Sequence, residues 1–171
     1  MSSQVIVLQG VSGSGKSSYV NAFNGPKASC SADDYFVQDS GYRFNPAQLG
    51  EAHAWCLRRF IYQLSTYTGG DSSLTVLVDN TNTAAIEIAP YMAIAAAYNV
   101  PAKIVTIECD LDLAFRRNQH NVPMSTIQKQ AARIKQSHSQ FPKHWEREII
   151  RKTYLGAAPH QPSDTKFDPG Y

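Results

Sequence analysis

The sequence is poor in cysteine and shows no obvious metal-binding pattern. Its 171 residues contain only three cysteines, Cys30, Cys56 and Cys109, which are far apart and form no C-x-x-C pair. This usage argues against a disulfide framework and against a zinc knuckle, so we expect buried, reduced thiols. The five histidines show no paired spacing with cysteine or carboxylate residues that would indicate a transition-metal site.

Net charge and long apolar runs are also nearly absent. The net charge is only +2, so a nucleic-acid partner would have to meet a local basic patch. The longest stretch of small apolar residues, 89–97, is interrupted by Pro90 and Tyr91 and is too short to cross a bilayer. The first residues lead directly into an apolar run. We therefore expect no secretory signal, no membrane partner and a cytoplasmic location.

The most informative feature present is a G-x-x-x-x-G-K-S/T motif at residues 10–17. It follows the apolar run 5–8 and precedes a segment that can open a helix. In this context the loop's backbone N–H groups wrap a phosphate chain, so the motif predicts a nucleoside triphosphate site. Lys16 would reach the β- and γ-phosphates, and the Ser17 hydroxyl would bind Mg²⁺. The predicted ATP-binding residues are Gly10, Ser12, Gly13, Ser14, Gly15, Lys16, Ser17 and Ser18, with Arg133 from a later helix.

Apolar runs alternate with helical patterns along the chain. Strands are predicted at 5–9, 28–31, 74–78 and 103–108, and helices at 16–23, from 45 to before 69, and at 84–98, 110–118, 125–139 and 142–152. This alternation implies βαβ units and a parallel sheet. We predict an α/β fold of the P-loop NTPase type over residues 1–155, with a mostly parallel central sheet flanked by helices and with a helical lid. Residues 156–171 are predicted to be a loose tail.

Three local signals set predicted helix ends. Pro90 should kink the third helix or mark its true start. Asp110 should cap the following helix, and Ser125 with Gln128 forms a capping-box pattern for the next one.

Polar side chains follow two predicted strands, and ligands bind beyond the carboxyl ends of strands in parallel sheets. Asp33 and Asp34 follow the second strand, where a carboxylate can orient an acceptor hydroxyl and take its proton; an ordinary Asx turn is the competing interpretation. Asp79 ends the third strand at the position of a Walker B carboxylate that holds Mg²⁺. The polar residues after it could contact substrate or form a turn with local hydrogen bonds. These residues are Asn80, Thr81 and Asn82.

Basic residues occur in two further segments of interest. The polar stretch 116–123 between two helices predicts a lid in which Arg116 or Arg117 closes over the phosphates, although a solvated helix end would look similar. An aromatic and basic cluster, formed by Tyr35, Phe36, Tyr42 and Phe44 around Arg43, could stack a base or grip a phosphate. Core packing is the alternative interpretation of the aromatic residues.

Taken together, these motifs resemble the P-loop kinase family that includes phage-type 5′-hydroxyl polynucleotide kinases. The resemblance covers about residues 4–140 and rests on the phosphate loop, Ala-Asp-Asp-Tyr-Phe at 32–36, Gly-Glu-Ala-His at 50–53, Asp-Asn-Thr-Asn at 79–82 and Arg-Arg-Asn at 116–118. It implies Asp33 as the general base and a lid arginine within Arg116–Arg117. The family often has an arginine after Asp-Asp-Tyr; here that residue is Phe36, and Arg43 is a candidate substitute.

The motifs and the resemblance lead us to expect transfer of the γ-phosphate of ATP, with Mg²⁺, to a hydroxyl on a nucleic acid. The acceptor would be a 5′-hydroxyl end or, as in relatives of this group, a hydroxymethyl group of a modified base in phage DNA, which favours DNA over RNA. A small-molecule kinase acting on a nucleoside, sugar or antibiotic is the alternative, slightly favoured by the low net charge. An ATP-dependent switch is a third hypothesis. Asp33 argues against it, because a switch needs a water-positioning residue instead.

Overall fold

A five-stranded parallel sheet forms the centre of the molecule. We describe it from a computed structural model that covers residues 3–39, 41–67 and 73–152. The strands of this sheet are β1 (Gln4–Gln9), β2 (Lys27–Cys30), β5 (Thr75–Val78), β6 (Ala102–Cys109) and β7 (Glu146–Lys152). Their spatial order is β2-β5-β1-β6-β7, and every neighbouring pair is parallel. The predicted α/β fold with a mostly parallel sheet is therefore confirmed.

Helices cover both faces of the sheet. They are α1 (Lys16–Ala22), α2 (Leu49–Tyr67), α3 (Ala85–Ala97), α4 (Leu111–Arg117) and α5 (Met124–Ser137). A small antiparallel hairpin, β3 (Val37–Gln38) and β4 (Gly41–Tyr42), lies between β2 and α2. A single turn of 3₁₀ helix, Pro46–Gln48, leads into α2.

The central strands are apolar along their whole length because both sheet faces are buried. Val5, Val7 and Val76 face one core cluster, which α2 and α3 complete. The alternate residues Ile6 and Leu77 face a second cluster with α1 on the other side. Side chains alternate between the two faces of a strand, so a continuous apolar run is needed to fill two cores at once.

Helix α2 packs against the core by an apolar stripe along one of its faces. Ala52, Cys56, Phe60 and Leu64 are buried. They recur every four residues and so share one face of the helix. The Phe60 ring meets the ring of Tyr91 from α3 edge to face, with centroids 5.1 Å apart. The predicted end of this helix at Gly69 to Asp71 lies outside the described residues, as does the predicted tail.

The predicted C-terminal helix at 142–152 is wrong: residues Glu146–Lys152 form strand β7, which pairs with β6 from Lys103↔Glu146 to Cys109↔Lys152. As an edge strand it carries mainly charged side chains, so it lacks the apolar alternation by which strands are recognised. Such charges also discourage further edge pairing. Two ion pairs cross to β6: Lys103 Nζ lies 2.8 Å from Glu148 Oε2, and Arg151 Nε lies 3.1 Å from Glu108 Oε2.

The helix-end predictions have mixed outcomes. Asp110 caps α4 as predicted, since its carboxylate accepts hydrogen bonds from the backbone N–H of Asp112 and Leu113. The capping box at Ser125 is wrong, because α5 begins at Met124 and its N-cap is Pro123, which provides no side-chain cap. Pro90 does not mark the start of α3, which begins at Ala85 and continues through the proline.

No helix among the described residues is both long enough and apolar enough to cross a membrane. The cysteines carry no disulfide; Cys30 and Cys56 are buried, and Cys109 is only partly buried.

Candidate active site

The phosphate loop joins β1 to α1 and depends on two glycines with positive φ. Gly13 has φ +78° and Gly15 has φ +97°, a region that side-chain-bearing residues rarely adopt. A Cβ at Gly13 would lie 2.0 Å from the carbonyl oxygen of Ala114 in α4. The glycine therefore allows the loop to pack directly against the backbone of α4.

Lys16 is held at the loop by backbone carbonyls. Its Nζ donates to the carbonyl oxygens of Gly10 and Val11 at 3.0 and 2.9 Å. Burial lowers the pKa of Lys16, and the nearby carboxylates of Asp79 and Asp33 oppose that shift. The two carboxylates favour the charged form of this buried lysine, and an ammonium group at a glycine-rich loop can bind anionic phosphates.

Ser17 and Asp79 form the pair on which the predicted magnesium site depends. The Ser17 hydroxyl donates to Oδ2 of Asp79 at 2.8 Å. Burial raises the pKa of Asp79, whereas the Ser17 hydrogen bond and the Lys16 charge lower it. Mg²⁺ prefers oxygen ligands and in nucleotide sites usually takes one or two protein ligands together with phosphates and waters. The hydroxyl and carboxylate oxygens here fit such an ion, and the described residues contain no cluster of three or more His, Cys, Asp or Glu side chains able to cage one.

Asp33 lies on a 3₁₀ turn, Ala32–Phe36, directly after β2. The Ser31 hydroxyl caps this turn by accepting from the Asp33 backbone N–H at 3.2 Å. The Asp33 carboxylate is exposed; it accepts a hydrogen bond from the Tyr42 hydroxyl at 3.3 Å and lies 3.8 Å from Nε2 of His120. The carboxylate of Asp34 is 3.9 Å from Nη1 of Arg59 in α2.

These groups surround one cleft of about 740 Å³ at the carboxyl ends of the strands. It brings together most of the predicted phosphate-loop residues, both aspartates after β2, Asp79 and one of the two predicted lid arginines. The predicted residues that line it are Ser12, Gly13, Gly15, Lys16, Ser17, Ser18, Asp33, Asp34, Asp79, Asn80, Thr81 and Arg117.

The Asn-Thr-Asn segment after Asp79 holds the strand ends together. Asn80 lines the cleft, but its Oδ1 accepts from the backbone N–H of Ala32 at 2.8 Å, which fixes the turn carrying Asp33. The carbonyl of Thr81 accepts from the N–H of Gly10 at 3.1 Å. Asn82 is buried with φ +46°, and its Nδ2 donates to the Leu8 carbonyl at 2.7 Å, away from the cleft. A substrate contact by Asn80 or Thr81 stays a prediction.

Several other predicted site residues do not reach the cleft. Arg116 is exposed elsewhere, and Arg133 pairs through Nη2 with Oε1 of Glu87 at 3.1 Å. The Tyr35 hydroxyl donates to Glu51 at 2.9 Å, and Arg43 is exposed away from the lining. Gly10 and Ser14 are buried behind the loop, where a Cβ on Gly10 would lie only 2.6 Å from Ser14 Oγ.

Sequence reasoning gave no site role to His120, Lys152 or Gln130, and it placed Tyr42 only in the aromatic and basic cluster around Arg43. Tyr42 and His120 contact Asp33, and Lys152 lines the cleft at the end of β7. Gln130 of α5 accepts from the Ser12 N–H at 2.9 Å and so ties α5 to the phosphate loop. His120 lies inside the predicted lid and Gln130 lies shortly after it, and this position was the only sequence signal for either residue. Lys152 was not considered as a site residue because its segment was predicted to be a helix.

Comparison with known proteins assigns the family. Residues 5–143 match the model of a family described as AAA domain. The chain belongs to this AAA-domain family. The matched region includes the phosphate loop, Asp33, Asp79 and Arg117, and it ends before β7.

A curated relative and several solved structures extend the comparison. NEDD4-binding protein 2 from Homo sapiens is 32% identical over 136 residues, which are 72% of this chain and 7% of that protein. A chain of the Pnkp1/Rnl/Hen1 complex is similar in structure, with a TM-score of 0.56 at 16% identity. The similarity covers 71% of this AAA-domain chain and 40% of the chain from the complex. The Mycobacterium tuberculosis APS kinase CysC, solved with AMPPNP and APS, has a TM-score of 0.50 at 18% identity, covering 91% of both chains.

The Deinococcus radiodurans tunicamycin resistance protein is also similar, with a TM-score of 0.51 at 14% identity over 87% of this chain and 85% of that chain. At these identities the similarity concerns the fold. The AAA-domain chain has a P-loop kinase fold, and that fold implies nucleotide binding at the glycine-rich loop.

Proposed function

We propose that this protein is a phosphotransferase that uses ATP and Mg²⁺ to phosphorylate a hydroxyl group on a nucleic acid. The observation that carries the proposal is the position of Asp33. Its exposed carboxylate opens into the same cleft as Lys16 and the Ser17–Asp79 pair. An acceptor hydroxyl in that cleft would have a proton acceptor on one side and the phosphate site on the other.

Each residue has a defined role in the proposed transfer. The loop N–H groups and Lys16 bind the phosphate chain, and Arg117 neutralises charge that develops on the transferred group. The acceptor O–H bond breaks as its proton passes to a carboxylate oxygen of Asp33. The new P–O bond forms as the bond between the γ-phosphorus and the ADP oxygen breaks. When bound at Ser17 and Asp79, Mg²⁺ would neutralise phosphate charge.

The nucleic-acid acceptor is supported by the motif resemblance and by the surface beside Asp33. The hairpin next to the cleft exposes Tyr42, and Phe44 follows it with half of its surface free. Exposed aromatic rings beside a reactive centre suit the stacking of unpaired bases. We propose DNA as the preferred substrate, with a 5′-hydroxyl end or the hydroxymethyl group of a modified base as the acceptor.

A small-molecule acceptor is the second candidate, and the low net charge of +2 favours it. The cleft of about 740 Å³ has to hold this acceptor together with the nucleotide. A nucleoside, sugar or antibiotic would then occupy the part of the cleft beside Asp33 without extending over the hairpin.

Transfer of label from γ-labelled ATP to a panel of acceptors tests the proposal. The panel contains 5′-hydroxyl DNA and RNA, DNA with internal hydroxymethylated pyrimidines and blocked ends, and free nucleosides, sugars and an aminoglycoside. Label on either class of DNA supports the proposal and identifies the acceptor. Label on small molecules alone, or ATP turnover that needs no acceptor, would overturn it.

Salt dependence provides an independent check on the acceptor class. Binding of a polynucleotide releases counterions, so the KM for a DNA acceptor should rise steeply between low and moderate salt. The KM for a small neutral acceptor should stay nearly constant over the same range.

A further inference from the structure

Lys152 reaches the phosphate loop from the edge strand of the sheet. It is the last residue of β7 and is in register with Cys109 at the end of β6. Because β7 runs parallel to its neighbours, its carboxyl end lies at the same sheet edge as the loop. A Cβ built on Gly15 would lie 3.4 Å from Nζ of Lys152 and 3.7 Å from its Cδ. Both the ammonium and the stem of Lys152 therefore lie against the loop.

Among the residues that the structure describes, the ammonium of Lys152 differs from its neighbours in having no carboxylate partner. On the same two strands, Lys103 is paired with Glu148, and Arg151 is paired with Glu108. Within the described ranges, Lys152 Nζ makes no hydrogen bond or ion pair, and its side chain lines the cleft. A cation left unpaired at the edge of an anion-binding cleft is free to bind a ligand phosphate.

Three cations converge on this side of the loop. Burial raises the pKa of the Cys109 thiol, and the positive charges of Arg117, Lys16 and Lys152 oppose that shift. Cys109 therefore marks a point within electrostatic reach of all three cations. Lys16 and Arg117 are the residues already assigned to the phosphates, so Lys152 extends the same positive region toward Gly15.

We propose that Lys152 is a second lysine of the nucleotide site and contacts the phosphate chain of the bound nucleotide from the β7 side of Gly15. This inference rests on the nucleotide-binding part of the proposed function but not on the identity of the acceptor. It adds a residue from outside the region that matches the family model, which ends at residue 143.

Titration calorimetry with ATP tests the proposal on a set of matched variants. Lys152→Met keeps the length of the stem and removes the charge, and Lys152→Gln removes the charge with a polar side chain. Lys152→Arg keeps the charge. Arg151→Met is the control, because Arg151 is the preceding residue on the same strand, is exposed and does not line the cleft.

We expect the neutral variants at Lys152 to bind ATP about tenfold more weakly, as for loss of one charge-assisted hydrogen bond. Lys152→Arg and Arg151→Met should stay within about twofold of the natural protein. Adenosine, which lacks phosphates, should bind all variants equally. Thermal unfolding of each variant confirms that the fold is retained.

Unchanged ATP affinity in both neutral variants would overturn the inference. An equal loss of adenosine binding would also overturn it, because the stem of Lys152 would then act by packing alone. The assay reads nucleotide binding without an acceptor. If no acceptor were ever labelled, the proposed function would fail while the result on Lys152 would stand.

Discussion

The Tyr42 hydroxyl donates a hydrogen bond to Oδ1 of Asp33 at 3.3 Å. His120 completes this contact from another part of the chain: its ring lies against the ring of Tyr42 with centroids 4.7 Å apart, and its Nε2 is 3.8 Å from Oδ2 of Asp33. The turn after β2, the β3–β4 hairpin and the connection from α4 to α5 thus meet at one carboxylate. This arrangement orients the proposed base from two sides.

Replacement of Asp33 with Asn should stop transfer and leave ATP binding nearly unchanged. A general base contributes about 10²–10⁴-fold to rate, and the amide cannot take the proton of the acceptor hydroxyl. The measurements are single-turnover transfer at saturating ATP and, separately, ATP affinity. Asp39→Asn, an exposed carboxylate outside the cleft lining, is the control. Normal turnover combined with weakened ATP binding would contradict the role assigned to Asp33.

Tyr42→Phe tests whether the hydrogen bond orients Asp33. Burial, together with the nearby Asp33 carboxylate, raises the pKa of Tyr42 to about 12, so the hydroxyl remains a donor throughout the neutral range. Loss of one such bond is worth about 0.5–1.5 kcal/mol, which corresponds to a fall in kcat of roughly twofold to tenfold with unchanged ATP affinity. Tyr35→Phe is the matched control because its hydroxyl bonds to Glu51 outside the cleft. An equal effect of both changes would rule out a specific role for Tyr42.

Much of the fold and the phosphate side of the site could be predicted because their signals are local. The loop at 10–17 carries its own backbone requirements in Gly13 and Gly15. The central strands have to fill two cores and are therefore continuously apolar. The Asp110 cap depends only on Asp112 and Leu113, which lie two and three residues further along the chain.

Neither the edge strand nor the contacts that position Asp33 could be predicted from the sequence, because both depend on residues that are distant along the chain. Asn80 and Asn82 look alike in the sequence, yet the amide of Asn80 fixes the turn that carries Asp33, whereas the amide of Asn82 donates to the Leu8 carbonyl of β1. Arg133 was predicted to bind ATP from its position in the helix after the lid. In the structure it pairs with Glu87 of α3, away from the cleft. Lys152 becomes a site residue only because β7 pairs with β6, and no local pattern in its charged segment records that pairing.

Asp79→Asn should stabilise the nucleotide-free protein while weakening Mg²⁺-dependent ATP binding. Burial raises the pKa of Asp79 above its usual 3.8, so the folded state holds this proton to a higher pH than the unfolded state. The free energy of unfolding therefore falls as pH rises from about 4 through the raised pKa of Asp79. At neutral pH the buried carboxylate is charged, and this loss of stability remains. The Asn variant lacks this cost and can still accept the Ser17 hydrogen bond.

Thermal unfolding across a pH series measures this effect. The Tm of Asp79→Asn should exceed that of the natural protein at pH 7, and the difference should vanish below about pH 4, where the carboxyl of Asp79 is protonated in both states. Asp39→Asn should show no comparable dependence. A lower Tm at pH 7 would mean that the Ser17 bond and the Lys16 charge outweigh the cost of burying the carboxylate.

Gly13→Ala should damage both the fold and the nucleotide site, whereas Gly25→Ala should cost only backbone strain. Both glycines have positive φ, +78° at Gly13 and +109° at Gly25. A Cβ at Gly25 meets nothing within 4 Å, but one at Gly13 would lie 2.0 Å from the Ala114 carbonyl. The backbone strain of alanine at a positive φ should lower the free energy of unfolding by about 1–2 kcal/mol in both variants. In Gly13→Ala, displacement of the loop from α4 should lower it by about 1–3 kcal/mol more.

Urea unfolding and ATP titration of the two alanine variants separate these contributions. The difference in unfolding free energy between them mainly reports the contact with α4, because both variants place alanine at a positive φ. Gly25→Ala should bind ATP normally, since it lies outside the cleft lining. Gly13→Ala should bind ATP at least about tenfold more weakly, because the loop N–H groups shift with the backbone. Equal stability losses with intact ATP binding would mean that α4 yields to the new methyl group and does not fix the loop.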